Sequence, residues 1–233
     1  MFKDIIQLLL RRDKVTLHLN DILKLTGSIT HKFKDAQCND IKGHTIFETK
    51  SSIVLELKDG SILKCLKIRH WTEYHKFLLG KNRAKDEVLS NYKMHKIGLT
   101  VPEIVYYGVF SNVLRKRKFS SFYCMRAIPS TFTPGNEIFN TLGQHARDIF
   151  IRGMILDINK LKVNNLVYSD LSLRNVLLDN SGKHYWIDTQ VKKYLRDNSF
   201  KNKFNHSLIR FIDDFEIELN SKEKYMLHSL VIS

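Results

Sequence analysis

The sequence predicts an α+β fold. Short apolar segments flank Asp/Asn/Gly turns at residues 59–60 and 179–182, a pattern typical of β-hairpins. Apolar residues recur at helical spacing over 82–97, 137–162 and 205–219. Hairpins and amphipathic helices in one chain together predict the α+β class.

The composition is that of a folded protein. The 233 residues are 43% hydrophobic and 11% aromatic, which suffices for a sizeable core and argues against disorder. Cys38, Cys65 and Cys124 are widely spaced and form no Cys-x-x-Cys pair, so they predict neither a zinc site nor a disulfide framework. Reduced thiols in a cytosolic compartment are the simplest account.

The charge is strongly basic. The chain has 38 Lys and Arg against 24 Asp and Glu, a formal net charge of +14. Such a chain favours anionic partners: nucleic acid, an anionic membrane surface or an acidic substrate. No zinc-finger or RRM motif is present, so we expect no nucleic acid partner.

The N-terminal stretch, residues 1–43, predicts a helical extension. Apolar residues in 2–10 have helical spacing, and a basic run follows at 11–14. Such a helix can lie on an anionic membrane surface or pack on the body of the protein. Asp4 interrupts the apolar stretch and no small-residue cleavage site follows, so it does not resemble a signal peptide. No apolar run reaches the ~18 residues of a membrane span. We expect a cytoplasmic protein, either soluble or peripheral on the cytoplasmic face of the membrane.

The first hairpin, residues 52–68, contains an unusual lysine. Alternation along its second strand places Leu63, Cys65 and Lys67 on one face. A lysine on an apolar face is costly unless its ammonium has an anionic partner. The alternative is a lysine that extends to solvent at the end of the strand.

The helix predicted at 82–97 has Glu87 beside its apolar stripe and a stop at Gly98. An extended segment and a strand are predicted over 101–108, and the basic run 115–118 is predicted at the tip of a second hairpin, before a strand at 121–125. The helix predicted at 137–162 ends at Asn164-Asn165, because Asn tolerates the left-handed conformation at a helix C-terminus.

Residues 166–188 contain the densest set of candidate functional side chains. Asp170 and Asn175 are five positions apart, and Asp188 follows the hairpin that begins after Asn175. The hairpin is expected to bring these three oxygen-bearing side chains together. Two carboxylates and an amide suit a hard cation such as Mg²⁺. Alternatively, Asp170 and Asn175 cap a turn and Asp188 ends a strand.

This stretch resembles the catalytic loop and metal-binding Asp of the protein-kinase-like superfamily, H-R-D-L-x-x-x-N and D-F-G. Here the corresponding tripeptides are Tyr168-Ser169-Asp170 and Asp188-Thr189-Gln190. The resemblance implies a two-lobed protein-kinase-like fold. Residues 44–125 would form an N-lobe with an antiparallel sheet and one key helix, and 126–233 a small, mostly helical C-lobe.

The resemblance also implies roles for single residues, with ATP and Mg²⁺ as cofactors. Asp170 would be the general base, and Asn175 and Asp188 would bind the metal. Cys65-Leu66-Lys67 matches the Ala-x-Lys of the third strand, whose lysine contacts the ATP phosphates and pairs with a helix glutamate. The residues assigned to ATP are Lys67, Glu87, Ser51, Ser52 and Ala127, the last in a hinge at 126–129. Arg174 is assigned to an anionic group of the acceptor.

Three departures favour a small acceptor over a protein. No G-x-G-x-x-G loop precedes residue 53, so the turn at 49–52 would contact phosphate instead. Thr189-Gln190 replaces Phe-Gly. The 45 residues after Asp188 are too few for the activation segment and peptide-docking helices of a protein kinase.

Within the superfamily, the chain most resembles bacterial lipopolysaccharide core kinases. The shared segments are V-P-x-x-x-x-Y-G at 101–108, Y-S-D-L-S-L-R-N-V-L-L at 168–178 and N-x-x-L-x-R at 205–210. This implies an ATP-dependent phosphotransferase that acts on a sugar hydroxyl, heptose or Kdo, of the lipopolysaccharide inner core. The acceptor would be an anionic glycolipid at the cytoplasmic face of the inner membrane. The alternatives are a pseudokinase that only binds, or a kinase for another small molecule or a protein.

Overall fold

The computed structural model describes residues 43–78, 82–109, 119–215 and 219–232. The predicted amphipathic helix, Cys38 and the basic run 115–118 lie outside these residues. The contacts divide the chain into two compact units. The first contains the described residues up to Lys85 together with Glu103–Arg126, and the second contains Asp86–Pro102 and the described residues from Ala127 onward.

The predicted α+β class is confirmed. The elements of the first unit are β1 (His44–Glu48), β2 (Ser52–Glu56), β3 (Ile62–Lys67), helix α1 (Trp71–Leu78), β4 (Ile104–Val109) and β5 (Phe119–Met125). The five strands form an antiparallel sheet of order β1-β2-β3-β5-β4. Both hairpins predicted in this part of the chain are present, as the β2–β3 and β4–β5 pairs.

One face of this sheet forms the core of the first unit. Its buried residues come from alternate positions of β2, β3 and β5, as the two-residue period of a strand requires: Leu55, Leu63, Cys65, Phe122 and Cys124. The β3–β5 pairing shifts between Leu66, which is opposite Ser121, and Lys67, which is opposite Phe119. Ser120 is therefore an extra residue of a bulge, a feature that changes the direction of nearby side chains.

Helix α2 (Arg83–Lys96) confirms the helix predicted at 82–97. Asn82 caps it, because its Oδ1 accepts the N–H of Ala84 at 2.9 Å. The division between the two units falls after its first three residues. Helix α1 was not predicted, because eight residues are too few for the helical period to stand out.

The described residues of the second unit contain most of α2, helices α3 to α6 and five short strands. Its sheets are antiparallel and have the orders β6-β8-β9 and β7-β10. The helices are α3 (Gly135–Ile138), α4 (Gln144–Val163), α5 (Asp197–Phe215) and α6 (Ser221–His228), with 3₁₀ turns at Phe139–Thr141 and Leu173–Asn175. The strands are β6 (Thr133–Pro134), β7 (Leu166–Tyr168), β8 (Val176–Leu178), β9 (His184–Trp186) and β10 (Val191–Lys193).

The helix boundaries of the second unit differ from the predictions in two places. Helix α4 begins at Gln144, because Leu142 is extended with ψ 136° and Gly143 forms the N-cap. Helix α5 begins earlier than residue 205, since the buried Phe200 and Phe204 continue its apolar stripe. The predicted end of α4 is confirmed, and Asn165 has a φ of 54°.

The second unit has the larger core. Helices α4 and α5 contribute buried residues at helical spacing, and β7, β8 and β9 contribute buried strand residues. The largest fully buried side chains of this core are those of Trp186, Tyr168, Phe139, Phe150 and Phe211. Tyr168 lies in β7, which precedes the loop with Asp170 and Asn175, and Trp186 lies in β9, the second strand of the hairpin that follows this loop. This loop is therefore held by strands whose side chains are locked in the core.

Candidate functional site

The β8–β9 hairpin brings two predicted site residues to the same end of a ribbon. Val176 is paired with Trp186, and the N–H of Ile187 donates to the carbonyl oxygen of Asn175 at 2.9 Å. Asn175 immediately precedes β8, and Asp188 is the next residue after Ile187. The prediction that a hairpin links Asn175 and Asp188 is confirmed at the level of the backbone.

Asp170 and Asn175 are in direct contact. The Asn175 side chain is in the 3₁₀ turn and only 8% exposed. Its Nδ2 donates to the Asp170 carbonyl at 2.8 Å and to the Asp170 carboxylate Oδ2 at 3.1 Å. Because the amide nitrogen is bound to Asp170, the amide oxygen is the atom left to meet a cation.

Asp188 has an uncommon backbone conformation. Its φ of 53° lies in the left-handed region, which residues other than glycine seldom adopt. The Tyr168 hydroxyl supports this conformation, since it donates to the Ile187 carbonyl at 2.6 Å and lies 3.4 Å from the Asp188 carbonyl oxygen. Strained backbone of this kind clusters at functional sites. Tyr168, which the sequence presented only as a departure from a motif, thus positions the segment that carries Asp188.

Helix α5 holds the other side of the loop. The Ser207 hydroxyl donates to the Tyr168 carbonyl at 2.6 Å, and Arg210 Nη2 donates to the Ser169 carbonyl at 3.0 Å. The same Nη2 lies 3.6 Å from the Asp170 carboxylate. Neither role was predicted, although both residues lie within the N-x-x-L-x-R segment that the sequence singled out.

A buried carboxylate on α4 forms hydrogen bonds with side chains of the β8–β9 hairpin. Asp157, 6% exposed, accepts hydrogen bonds from Trp186 Nε1 at 2.8 Å, His184 Nε2 at 3.0 Å and Lys160 Nζ at 2.9 Å. Burial alone would raise the pKa of the Asp157 carboxyl, but the bonds from these three side chains outweigh it and hold the pKa below its usual value. Asp157 was not predicted, because it falls among the apolar positions of a helix and no local motif marks it.

In the first unit, Lys67 is bound within its own sheet. Its ammonium donates to Glu48 Oε1 at 2.5 Å and to the Thr49 carbonyl at 2.7 Å, and its side chain is 14% exposed. The expected anionic partner is therefore present, and it is Glu48. Glu87 is buried on α2 and belongs to the second unit. Its pairing with Lys67 stays a prediction.

The turn at 49–52 is closed by Thr49. Its Oγ1 accepts the N–H groups of Ser51 at 3.1 Å and of Ser52 at 3.0 Å. Two backbone N–H groups of the turn that was expected to contact phosphate are thus already bound to Thr49 in this structure. Of the remaining predicted residues, Ala127 is exposed just after the division between the units, and Arg174 is exposed on the 3₁₀ turn before Asn175.

Two negative findings apply to the described part of the chain. It contains no cluster of three or more His, Cys, Asp or Glu side chains that could hold a metal ion. The candidate set of two carboxylates and one amide is not of that composition. None of the helices described is long and apolar enough to cross a membrane.

A scan of the chain against protein-family models gives no match, and a search of curated proteins gives none either.

Proposed function

We propose that this chain is an ATP- and Mg²⁺-dependent phosphotransferase with an alcohol group as acceptor. The observation that carries the proposal is the arrangement of Asp170, Asn175 and Asp188. One loop and one hairpin hold them, through the Asn175–Asp170 bonds and the Ile187–Asn175 bond. The fold proposed for the chain is protein-kinase-like, with the two compact units as its two lobes.

The donor set fits Mg²⁺, which prefers carboxylate and amide oxygens and retains sites for water and phosphate oxygens. Asn175 and Asp188 would hold the ion, which would supply charge neutralisation at the phosphates. The strained backbone of Asp188 supports this role. The hydrogen bond from the Tyr168 hydroxyl to the Ile187 carbonyl stabilises a backbone conformation of Asp188 that is otherwise unfavourable.

Asp170 is proposed as the general base. Its side chain is 49% exposed, so an acceptor hydroxyl can approach it. The carboxylate would take the hydroxyl proton as the oxygen bonds to the terminal phosphorus of ATP and the bond to the leaving ADP oxygen breaks. Such a base contributes about 10²–10⁴-fold to the rate. The Asn175 bond to Oδ2 orients the carboxylate for this step.

The remaining assignments are proposals of the same kind. Lys67 would contact the phosphates of ATP, and Glu87 would pair with Lys67. Ser51 and Ser52 would contact the phosphates as well, and Ala127 would contact the adenine. For Lys67, this requires that its ammonium leave Glu48.

The acceptor proposed is a heptose or Kdo hydroxyl of the lipopolysaccharide inner core. The resemblance of the loop to lipopolysaccharide core kinases supports it, and so does the +14 charge of the chain, which suits an anionic glycolipid at a membrane surface. The proposed location is accordingly the cytoplasmic face of the inner membrane.

The test is phosphoryl transfer by the purified chain from γ-labelled ATP, with Mg²⁺, to extracted lipopolysaccharide or to a mixture of proteins. We expect label on lipopolysaccharide. We expect Asp188→Ala and Asp170→Asn to lose at least about 100-fold in rate. Asp213→Asn, which alters an exposed carboxylate on α5, is the matched control and should retain the rate. Label on protein alone would overturn the assignment of a lipopolysaccharide sugar as the acceptor. Equal inactivity of wild type and Asp188→Ala with every acceptor tested would overturn the assignment as an enzyme, and equal turnover by the two would overturn the role of Asp188.

A binding protein without turnover is the second candidate. The observation that favours it is the engagement of Lys67 by Glu48 and the Thr49 carbonyl, together with the closed turn at Ser51 and Ser52. Calorimetry would separate the two candidates. ATP binding without transfer to any acceptor supports the binding protein, and transfer excludes it.

A further inference from the structure

Helix α5 has a row of basic side chains that leads to the candidate base. Lys203, His206 and Arg210 are exposed and follow one another at intervals of three and four residues, so they share a face of the helix. The row spans about 10 Å along the axis. Its last member, Arg210, lies 3.6 Å from the Asp170 carboxylate.

The position of Arg210 is fixed by its neighbour. Ser207, one turn earlier, is buried and bonded to the Tyr168 carbonyl at 2.6 Å, which anchors α5 to the loop. Arg210 itself holds the Ser169 carbonyl through Nη2. Among the residues that the structure describes, both contacts of the guanidinium use Nη2, so Nε and Nη1 have no hydrogen-bond partner there. The Arg210 side chain is 44% exposed.

Stability does not account for this arrangement. An ion pair this exposed contributes about 0–1 kcal/mol. A neutral donor would also satisfy the Ser169 carbonyl. A fixed guanidinium with unused donors beside a general base instead suits an anionic group on the molecule that approaches the base, because Arg binds phosphate and carboxylate in a fork geometry.

We propose that Arg210, with His206 and Lys203 behind it, forms an anion subsite that selects acceptors with a phosphate or carboxylate group close to the reacting hydroxyl. This inference rests on the proposed function, because it takes Asp170 to be the base that receives the hydroxyl. The proposal gives α5 a role in recognising the acceptor, in addition to the role in binding an anionic group of the acceptor that the sequence assigns to Arg174.

The test measures anion binding without ATP or Mg²⁺, so that it does not depend on turnover. Inorganic phosphate and acetate are titrated at low ionic strength and followed by calorimetry. We expect phosphate to bind wild type, and Arg210→Met to weaken it about 10-fold or more, since a charge-assisted hydrogen bond is lost. Arg210→Lys should lose less, because the charge remains without the fork. Acetate should bind more weakly than phosphate, since it carries only one charge. The affinity for acetate should decrease in the same order, from wild type to Arg210→Lys to Arg210→Met.

The matched control is Arg196→Met, which removes the same charge from an exposed position just before α5. It should leave phosphate binding within about 2-fold, since screened charges of this kind act weakly. No phosphate binding by wild type would overturn the subsite. So would equal binding by wild type and Arg210→Met with a lower thermal midpoint in the variant, the result expected of a purely structural arginine.

A membrane is a separate possibility that the same variants test. Retention on phosphatidylglycerol vesicles should be equal for Arg210→Met and Arg196→Met if the subsite serves the acceptor. Loss of retention by Arg210→Met alone would overturn the acceptor assignment in favour of a lipid surface. Neither outcome depends on Asp188→Ala, so the subsite and the phosphotransferase can fail independently.

Discussion

The β2–β3 hairpin and the β8–β9 hairpin both present residues assigned to chemistry, and they hold those residues very differently. In β8–β9, Val176, Leu178 and Trp186 are fully buried, and Asp157 bonds the hairpin to α4. In β2–β3, the ammonium of Lys67 is bound to Glu48, a residue of an edge strand whose side chain is 52% exposed.

This difference separates a preorganised site from an adaptable one. The contacts of Asp170 and Asn175 are held by a core that does not rearrange cheaply. In the Lys67–Glu48 pair, the Glu48 side chain is 52% exposed and is not part of a core. Lys67 can therefore change partner more readily than the residues around Asp188.

The largest expected effect comes from the two tryptophans. Trp186→Ala empties a fully buried position and removes a donor from Asp157, so we expect a loss of about 3–5 kcal/mol in the free energy of unfolding. Trp71 is 58% exposed on α1, and Trp71→Ala should cost about 1 kcal/mol or less. Urea unfolding followed by circular dichroism measures both. Equal losses would remove the contrast between the two units.

The turn glycines give the next largest effect. Both have positive φ, 85° for Gly182 and 77° for Gly60. A Cβ on Gly182 would lie 2.4 Å from the Ala146 carbonyl oxygen, whereas one on Gly60 would meet nothing within 4 Å. We expect Gly60→Ala to lower the free energy of unfolding by about 1 kcal/mol, from backbone strain alone. Gly182→Ala should lower it by about 3 kcal/mol, because a clash with α4 is added to the strain. A larger loss for Gly60→Ala in urea unfolding would contradict the tight packing of the second hairpin.

The smallest effect concerns two tyrosine hydroxyls. Tyr168→Phe removes the bond to the Ile187 carbonyl and should cost about 1–2 kcal/mol, with faster hydrogen exchange at residues 187–190. Tyr107 is the control, because its buried hydroxyl has no hydrogen-bond partner among the described residues, and burial raises its pKa to about 12. Tyr107→Phe should be neutral or slightly stabilising. Unchanged exchange in Tyr168→Phe would mean that the hydroxyl does not hold the Asp188 segment.

The features predicted from the sequence are those that short-range patterns encode. The turns at 59–60 and 179–182, the helix at 82–97 and the backbone link between Asn175 and Ile187, next to Asp188, all depend on residues near one another in sequence. The hairpin alone makes the link between Asn175 and Asp188, so residue spacing was sufficient.

The features missed depend on partners far apart in sequence. Ser207 and Arg210 contact carbonyls 39 and 41 positions earlier, and Asp157 contacts side chains 27 and 29 positions later. No period or motif encodes such pairs. The closure of the turn by Thr49 was also missed, because a threonine beside two serines gives no indication of which hydroxyl the backbone will use.

The support of the loop by α5 has a consequence for synthesis. The ribosome releases the chain from its N-terminal end, and Ser207 follows Tyr168 by 39 residues. While α5 is still inside the exit tunnel, the carbonyls of Tyr168 and Ser169 have neither of their α5 donors. The two carbonyls gain these donors only after α5 emerges, so a nascent chain would order this loop later than the point at which residues 166–188 first appear.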